Sequence, residues 1–164
     1  MHLEEIKAKL LRSKEGLQIE ELEDIQPRGF QVKPDQLLTI CRALKEDDVL
    51  FFDMLSSISA VDLGADNGHM ELVYHLYSIT KEISLTLKVT VNREDPQIDS
   101  VCPIWKAADW HEREAYDFFG IKFNGHQDLR RILLPNDWEG FPLRKDYIEQ
   151  EKYHGITVTY DRED

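Results

Sequence analysis

The sequence has little cysteine, with only Cys41 and Cys102 among its 164 residues. Two cysteines fit a reducing compartment better than a disulfide framework. They also fall short of the roughly four ligands that an iron–sulfur cluster needs, so any role in electron transfer would be played without a cluster of its own. Cys41 lies on the apolar stripe of a predicted helix, and we expect it to be a core thiol rather than a nucleophile.

Long hydrophobic runs and an excess of positive charge are also missing. No apolar stretch approaches the roughly 20 residues of a membrane span, and Glu4 and Glu5 near the first residue do not suit a secretory signal. The formal net charge of −12 disfavours nucleic acid and anionic membrane surfaces as direct partners. These absences predict a soluble intracellular protein with one well-filled core.

Familiar catalytic and phosphate-binding motifs are absent as well. There is no His-Glu-x-x-His, no His-x-His and no glycine-rich loop after a strand. Basic side chains alternate with the acids between residues 109 and 128, so we interpret this region as a set of ion pairs, with a stand-alone metal-dependent enzyme as an alternative. The potential acids or ligands there are Asp109, His111, Glu112, Glu114, Asp117, His126 and Asp128.

Hydrophobic periodicity, by contrast, is abundant. A period of 3.6 predicts helices over 3–12, from Asp35 through Leu44, and from Pro103 to Phe119. Strict alternation predicts a hairpin of strands 70–79 and 83–91. Further strands are predicted at 30–32 and before Asp62. The order α-β-α-β-β-β-α predicts an α+β fold with helices packed on a mixed four- to five-stranded sheet.

The composition changes after Gly120, where Gly, Pro and Asn-Asp breakers become frequent. We therefore predict a globular α+β domain over 1–120 and an extended C-terminal segment over 121–164 that wraps a partner. Residues 148–160 are polar and aperiodic, so we expect them to be disordered in the isolated chain and ordered in a complex.

The helix predicted to end at Phe119 carries charge on its apolar face. At 100° per residue, His111 and Glu112 fall among the apolar positions, while Arg113 and Asp117 point away from them. Burying Glu112 unpaired would cost several kcal/mol. We therefore expect Arg130 or Arg131 to pair with it. The apolar positions of this face are Ile104, Ala108, Ala115, Phe118 and Phe119.

The same region resembles a known family. The matching motifs are Glu112-Arg113-Glu114, Asp117-Phe118-Phe119-Gly120, Gly125-His126, Leu129-Arg130-Arg131-Ile132-Leu133 and Pro142-Leu143-Arg144-Lys145-Asp146-Tyr147. Together they resemble the C-type subunit, also called the 30 kDa subunit, of the NADH:quinone oxidoreductase known as respiratory complex I. Gln127 departs from the usual proline after Gly-His, and Ile148-Glu149 departs from the proline that many members have after Asp-Tyr.

The resemblance implies a cofactor-free peripheral-arm subunit with a structural or assembly role in the quinone-reducing module, beside the D-type subunit and near iron–sulfur subunits. FMN and clusters would belong to those partners, and quinone would be the substrate of the whole proton-translocating complex. The implied location is the cytoplasmic side of a bacterial inner membrane. The alternative parent is a membrane-bound nickel–iron hydrogenase or a ferredoxin-linked relative.

The resemblance also marks a set of interface or structural-motif residues, with no catalytic, cofactor-binding or metal residue among them. We expect aromatic anchors and arginine forks in this set to act against a partner. In Arg130-Arg131 and Arg144-Lys145, one basic side chain is expected to pair with Glu112 or Glu114 while the other faces the partner. The full set is Glu112, Arg113, Glu114, Asp117, His126, Arg130, Arg131, Trp138, Arg144, Lys145, Asp146 and Tyr147.

Overall fold

The computed structural model describes residues 2–22 and 25–157. Three helices and nine strands are found in this part of the chain. The helices are α1 (Leu3–Ser13), α2 (Leu37–Glu46, after a 3-10 turn at Pro34–Gln36) and α3 (Ala108–Phe119). The strands are β1 (Ile19–Leu22), β2 (Gly29–Val32), β3 (Met54–Asp62), β4 (His69–Ser78), β5 (Ile83–Asn92), β6 (Gln97–Asp99), β7 (Lys122–Asn124), β8 (Lys152–Tyr153) and β9 (Ile156–Thr157).

Strands β1 to β5 form a mixed sheet in the order β1-β2-β5-β4-β3, with β2 and β5 parallel and the other neighbours antiparallel. The predicted α+β fold with a four- to five-stranded mixed sheet is confirmed. Glycine makes the parallel contact possible, because a Cβ on Gly29 would collide with the backbone oxygen of Thr86.

The β4–β5 hairpin follows the predicted alternation. Leu85, Leu87, Val89 and Val91 are buried in the core, and β4 pairs with β5 from His69–Asn92 to Ser78–Ile83. Both strands contribute one apolar side chain to the core at every second residue. Period 2 in the sequence therefore located the two strands of this hairpin.

The helices supply the other half of the core, which also contains Cys41. Its thiol is completely buried, and burial, with a smaller effect from the charge of Glu112, holds its pKa far above the ordinary value. The expectation of a core thiol is confirmed. The same core contains Ile6 and Leu10 of α1, Leu37, Ile40 and Leu44 of α2, and Tyr74 of β4.

Helix α3 begins later than predicted, at Ala108 rather than Pro103. Before it, the carbonyl of Val101 accepts the N–H groups of Ile104 and Trp105 at 2.9 and 3.0 Å, which makes a turn. The indole N–H of Trp105 donates to the Phe52 carbonyl at 3.1 Å. Anchoring Trp105 in the core determines where the helix starts, and this is a tertiary effect that helical spacing does not record.

The chain after α3 folds back over the helix. Gly120 ends α3 in the left-handed conformation with φ 74°, and β7 then pairs in parallel with β6. Ile121 and Phe123 are buried in the core. We call the irregular stretch 125–150 the outer segment. The division at residue 120 and the disorder of 148–160 stay predictions, and residues 158–160 lie outside the described ranges.

None of the helices in residues 2–22 and 25–157 combines the length and the hydropathy needed to cross a bilayer.

Candidate functional site

Asp117 is the centre of the contacts between α3 and the outer segment. Its carboxylate is fully buried. One oxygen accepts the backbone N–H groups of Ile132, Leu133 and Leu134 at 3.0, 2.8 and 3.0 Å, and the other accepts Nη1 of Arg131 at 2.9 Å. Burial alone would raise the pKa of Asp117, but the donors, with Leu134 and Arg131 foremost, outweigh it and lower the pKa. The charged carboxylate is thus the form that the fold stabilises.

Arg131 joins three parts of the chain around that carboxylate. Besides Asp117, its guanidinium donates to the carbonyls of Trp138 and Gly140 at 3.0 and 2.9 Å, and it lies 5.3 Å from the ring centre of Phe141. These contacts leave the Arg131 side chain only 12% exposed, so Arg131 acts as an internal clamp.

One expectation about these residues is wrong, because Asp117 takes the place of Glu112 or Glu114 as the internal partner of Arg131. Asp117 and Arg113 were predicted to point away from the apolar positions of α3, and both are buried. One feature of the fold accounts for both observations. The outer segment covers the second face of α3, so this helix is buried on two sides.

Arg144 fastens the far end of the outer segment. Its Nε donates to the Phe119 carbonyl at 2.7 Å, and its guanidinium lies 4.8 Å from the ring centre of Phe141, which Arg131 also contacts. Burial, with repulsion from Arg93, lowers the pKa of Arg144. Phe141 is thus held by two guanidinium groups and pressed against Gly120.

A second anchor ties the outer segment to the sheet. Asp62 of β3 accepts Nε and Nη2 of Arg93 at 2.8 and 3.0 Å and the backbone N–H of Lys145 at 2.8 Å. Arg93 also contacts Asp146. The paired Arg93 guanidinium, with backbone donors, holds the pKa of Asp62 far below its usual range. Asp146 is therefore in an internal ion pair, while the Lys145 side chain is exposed.

Glu112 is held by a different set of donors. It is fully buried and accepts the Ser100 hydroxyl at 2.6 Å, the Val101 N–H at 2.7 Å and the Cys102 thiol at 3.3 Å. The predicted pairing with Arg130 or Arg131 is wrong, because Arg130 binds the exposed Asp128. Burial raises the pKa of Glu112, and the three donors offset only part of that effect.

His126 lies next to Glu112 with a buried side chain. Its Nδ1 accepts the backbone N–H of Asp128 at 3.1 Å, so the proton of the neutral ring is on Nε2, which lies 3.2 Å from Asp109 Oδ1 and 4.0 Å from Glu112 Oε2. The ligand atoms of Cys102, Glu112 and His126 lie within 4.8 Å of one another, as in a metal site.

The hydrogen bonds favour a proton network over a metal at this cluster. A metal-bound histidine donates its other ring N–H to a carbonyl or carboxylate, whereas Nδ1 of His126 accepts a hydrogen bond. This hydrogen bond weakens the alternative of a stand-alone metal-dependent enzyme.

The remaining residues of the predicted set are divided between anchors and exposed groups. Arg113 lies 5.2 Å from the ring centre of Trp110 and donates to the Arg130 carbonyl at 3.3 Å. The indole N–H of Trp138 donates to the Tyr147 hydroxyl at 3.1 Å. Glu114 is exposed on α3. The predicted residues thus belong to one unit, which consists of α3, the outer segment folded back over it and the sheet residues that hold that segment.

Sequence reasoning missed Asp62, Arg93 and Ser100 as members of this unit. Asp62 and Arg93 are 31 positions apart and lie at strand ends that resemble ordinary polar boundaries. Only strand pairing brings them together.

Ionising the buried Glu112 carboxyl group costs the folded state free energy, and this cost grows with pH. Replacing Glu112 by Gln is expected to remove it. The folded state holds the proton of Glu112 more tightly than the unfolded chain does, because its pKa is raised from 4.5. The free energy of unfolding of the wild type should therefore fall relative to Glu112→Gln as the pH rises above about 4.5, and the difference should level off once the buried group has ionised.

Paired urea denaturation of both proteins at a series of pH values measures this difference. His126 and Asp109 are present in both proteins, so the comparison isolates the carboxyl group. A wild type that gains stability relative to Glu112→Gln over the same pH interval would mean that the ionised carboxylate is the stabilised form.

Known proteins resemble most of the chain. The family described as respiratory-chain NADH dehydrogenase, 30 Kd subunit, matches residues 30–153. The C-type NADH-quinone oxidoreductase subunit of Chloroherpeton thalassium is 44% identical over 95% of this chain and 65% of its own length. The C-type subunit of Salinispora arenicola is 48% identical over 80% and 52%, respectively. The chain thus spans half to two thirds of the length of these relatives.

Solved structures agree with the sequence matches. A chain of the membrane-bound sulfane sulfur reductase, an archaeal respiratory membrane complex, matches with a TM-score of 0.74 and 27% identity, over 96% of this chain and 94% of that one. The trypsin-resistant fragment of Nqo5 matches with a TM-score of 0.62 and 25% identity, over 79% and 100%, respectively. The chain therefore belongs to the 30 kDa subunit family of respiratory-chain NADH dehydrogenase.

Proposed function

We propose that this chain is a cofactor-free structural subunit of a proton-translocating NADH:quinone oxidoreductase. In this role it contributes to the quinone-reducing module, beside the D-type subunit and near the iron–sulfur subunits of the peripheral arm. It lies on the cytoplasmic side of the membrane and reaches the membrane only through other subunits. NADH oxidation, cluster chemistry and quinone reduction belong to those partners.

The observation that best supports this role is how the buried charges are used. Asp117, Asp62 and Arg131 bind groups of the same chain that hold the outer segment on α3 and the sheet. A catalytic acid or base has to reach a substrate proton, and these side chains are already surrounded by donors or acceptors. Their arrangement suits the construction of a rigid surface.

The outer surface suits protein contact. Trp110 and Leu133 flank the region where Arg113 joins α3 to the outer segment, and they are 64% and 62% exposed. Exposed Trp beside Arg is typical of interface anchors. The net charge of −12 favours partners with basic surfaces.

A second candidate parent is a related membrane complex, such as a membrane-bound nickel–iron hydrogenase or a ferredoxin-linked relative. It is favoured by the likeness to a chain of an archaeal respiratory membrane complex that is named a sulfane sulfur reductase. The same structural role would apply there, with a different electron donor.

Affinity purification of the native chain from solubilised membranes tests both candidates. Recovery together with the D-type subunit, membrane subunits and a flavin-containing NADH-oxidising module supports the first parent. Recovery with a hydrogenase or ferredoxin-linked module supports the second. A chain that is recovered alone and catalyses a reaction contradicts the structural role.

Trp110→Ala is expected to weaken assembly by about 2 kcal/mol, the size typical of a tryptophan anchor. The isolated variant should fold almost normally, because the substitution removes an exposed side chain and one cation–π contact of about 0.5–1 kcal/mol. Other subunits recovered with a tagged chain measure the effect. Ile79→Ala is the matched control, since Ile79 is 57% exposed just after β4. Equal recovery from both variants would exclude Trp110 from the interface.

A further inference from the structure

Strand β3 has the properties of an open sheet edge. It is the terminal strand of the five-stranded sheet, and β4 is its only partner strand in the described part of the chain. Its sequence, Met54 to Asp62, contains no Lys, Arg or Pro, which are the residues that usually protect an edge from pairing. A β-bulge interrupts the strand between Leu55 and Ser57, so the regular stretch 58–62 is the part of this edge able to accept another strand.

A groove of about 210 Å³ runs along this edge. Ile58, Ser59 and Ala60 line one wall. Successive side chains of a strand point to opposite faces, so a groove that borders three consecutive residues follows the strand edge, where unpaired N–H and C=O groups lie. The other wall belongs to α3 and to the outer segment, and consists of Glu114, Ala115, Phe118, Phe119 and Leu143.

The surroundings of the groove are apolar. Met54 and Val61, near the two ends of β3, are 45% and 43% exposed, and Leu143 at the groove itself is 53% exposed. Apolar side chains exposed to water do not stabilise the free chain, so their position beside the edge favours a protein partner over solvent. An extended polypeptide laid on the edge would cover them while it completed the backbone hydrogen bonds.

Charge identifies the kind of polypeptide. Glu114 is exposed on the groove wall and has no hydrogen bond or ion pair with any residue in the described ranges. A second copy of this chain would bring another Glu114 and another net charge of −12 to the same edge, which opposes self-pairing. A segment with a basic side chain opposite Glu114 is complementary instead.

We infer that the β3 edge binds an extended, basic segment of a different subunit, which adds a sixth strand to the sheet beside α3. Alternate side chains of that segment enter the groove at Phe118 and Leu143, and a Lys or Arg pairs with Glu114. This inference rests on the proposed function, because it requires an assembled complex.

Photocrosslinking in the assembled complex tests the position. p-Benzoylphenylalanine in place of Ser59 is expected to crosslink to one short segment, containing Lys or Arg, of another subunit. The same residue in place of Ser84 is the control, because Ser84 is an exposed serine of β5, away from the edge. An assembled complex without a crosslink from position 59, or with a crosslink to a second copy, overturns the inference.

Charge reversal tests the chemistry. Glu114→Lys is expected to lower recovery of the crosslinked partner about tenfold at low salt, since like charges then face each other. Glu4→Lys on α1 changes the net charge equally and should have no effect. Exchanging the partner's basic residue for Glu should restore recovery with Glu114→Lys. Full recovery without that exchange contradicts the predicted pairing.

The two proposals fail in different ways. If the wild-type chain recovers no other subunit, the proposed function fails. If it recovers the complex, but position 59 gives no crosslink and Glu114→Lys does not lower recovery of the partner, only the inference of a sixth strand is wrong.

Discussion

Asp117→Ala is expected to lower the free energy of unfolding by about 3–5 kcal/mol, the cost typical of removing one partner from a buried ion pair. The change leaves the N–H groups of Ile132, Leu133 and Leu134 without an acceptor and the Arg131 guanidinium without its counterion. Urea denaturation of the full chain at neutral pH measures the loss. Asp128→Ala is the control, because the Asp128–Arg130 pair is exposed and such pairs contribute little.

Arg131→Ala should cost a similar amount, and the double variant Asp117→Ala/Arg131→Ala less than the sum of the two. The pH dependence has a definite sign. The lowered pKa of Asp117 gives a stabilisation that is present above the usual value of about 3.8 and disappears as the pH falls through the folded value. Additive losses, or a wild type that gains stability in acid relative to Asp117→Ala, would contradict the stabilising role of the ionised carboxylate.

These variants also separate folding from assembly. The sequence left open which basic residue of Arg130-Arg131 faces a partner, whereas the structure makes Arg131 an internal clamp. We therefore expect any assembly defect of Arg131→Ala to follow from lost stability. Trp110→Ala should show the reverse pattern, with a folded chain and poor assembly.

Gly120→Ala is expected to cost about 2–5 kcal/mol, the sum of a left-handed backbone penalty of about 1–2 kcal/mol and an overpacking penalty of about 1–3 kcal/mol. Gly120 has φ +74°, and an added Cβ would stand 2.5 Å from the Phe141 ring. The ring cannot move aside easily, because Arg131 and Arg144 lie on it.

Gly125→Ala is the matched control for this substitution. Gly125 has φ +80°, yet nothing lies within 4 Å of an added Cβ. It should therefore show only the backbone penalty. Urea denaturation of the two variants side by side isolates the contact with Phe141, and equal losses would mean that Phe141 yields without disturbing the arginines.

Much of the fold could be predicted because it depends on local periodicity. Leu85, Leu87, Val89 and Val91 alternate along β5 and are buried, since a strand with one covered face has period 2. Helix α1, predicted over 3–12, spans Leu3–Ser13. In each case the apolar pattern matches the spacing of one buried face.

The sequence located the region of the site correctly, but it did not identify which charged residues pair with each other. The motifs from Glu112 to Tyr147 do form one connected unit. The mates of its charges were wrong, since helical spacing reports only one face of α3 and cannot show that a later segment covers the other. For that reason Asp117, expected to point away from the apolar face, is buried and accepts four hydrogen bonds from the outer segment.

By itself, then, the sequence determined the α+β class, the central hairpin, the core thiol at Cys41 and the resemblance to the 30 kDa subunit family. Each of these depends on residue type and spacing along the chain. Only the tertiary structure decided that Asp62 and Arg93 meet, that Glu112 is held by Ser100, Val101 and Cys102, and that Arg131 binds Asp117. Those contacts join distant segments, and a buried charge takes whichever donors the packed backbone brings to it.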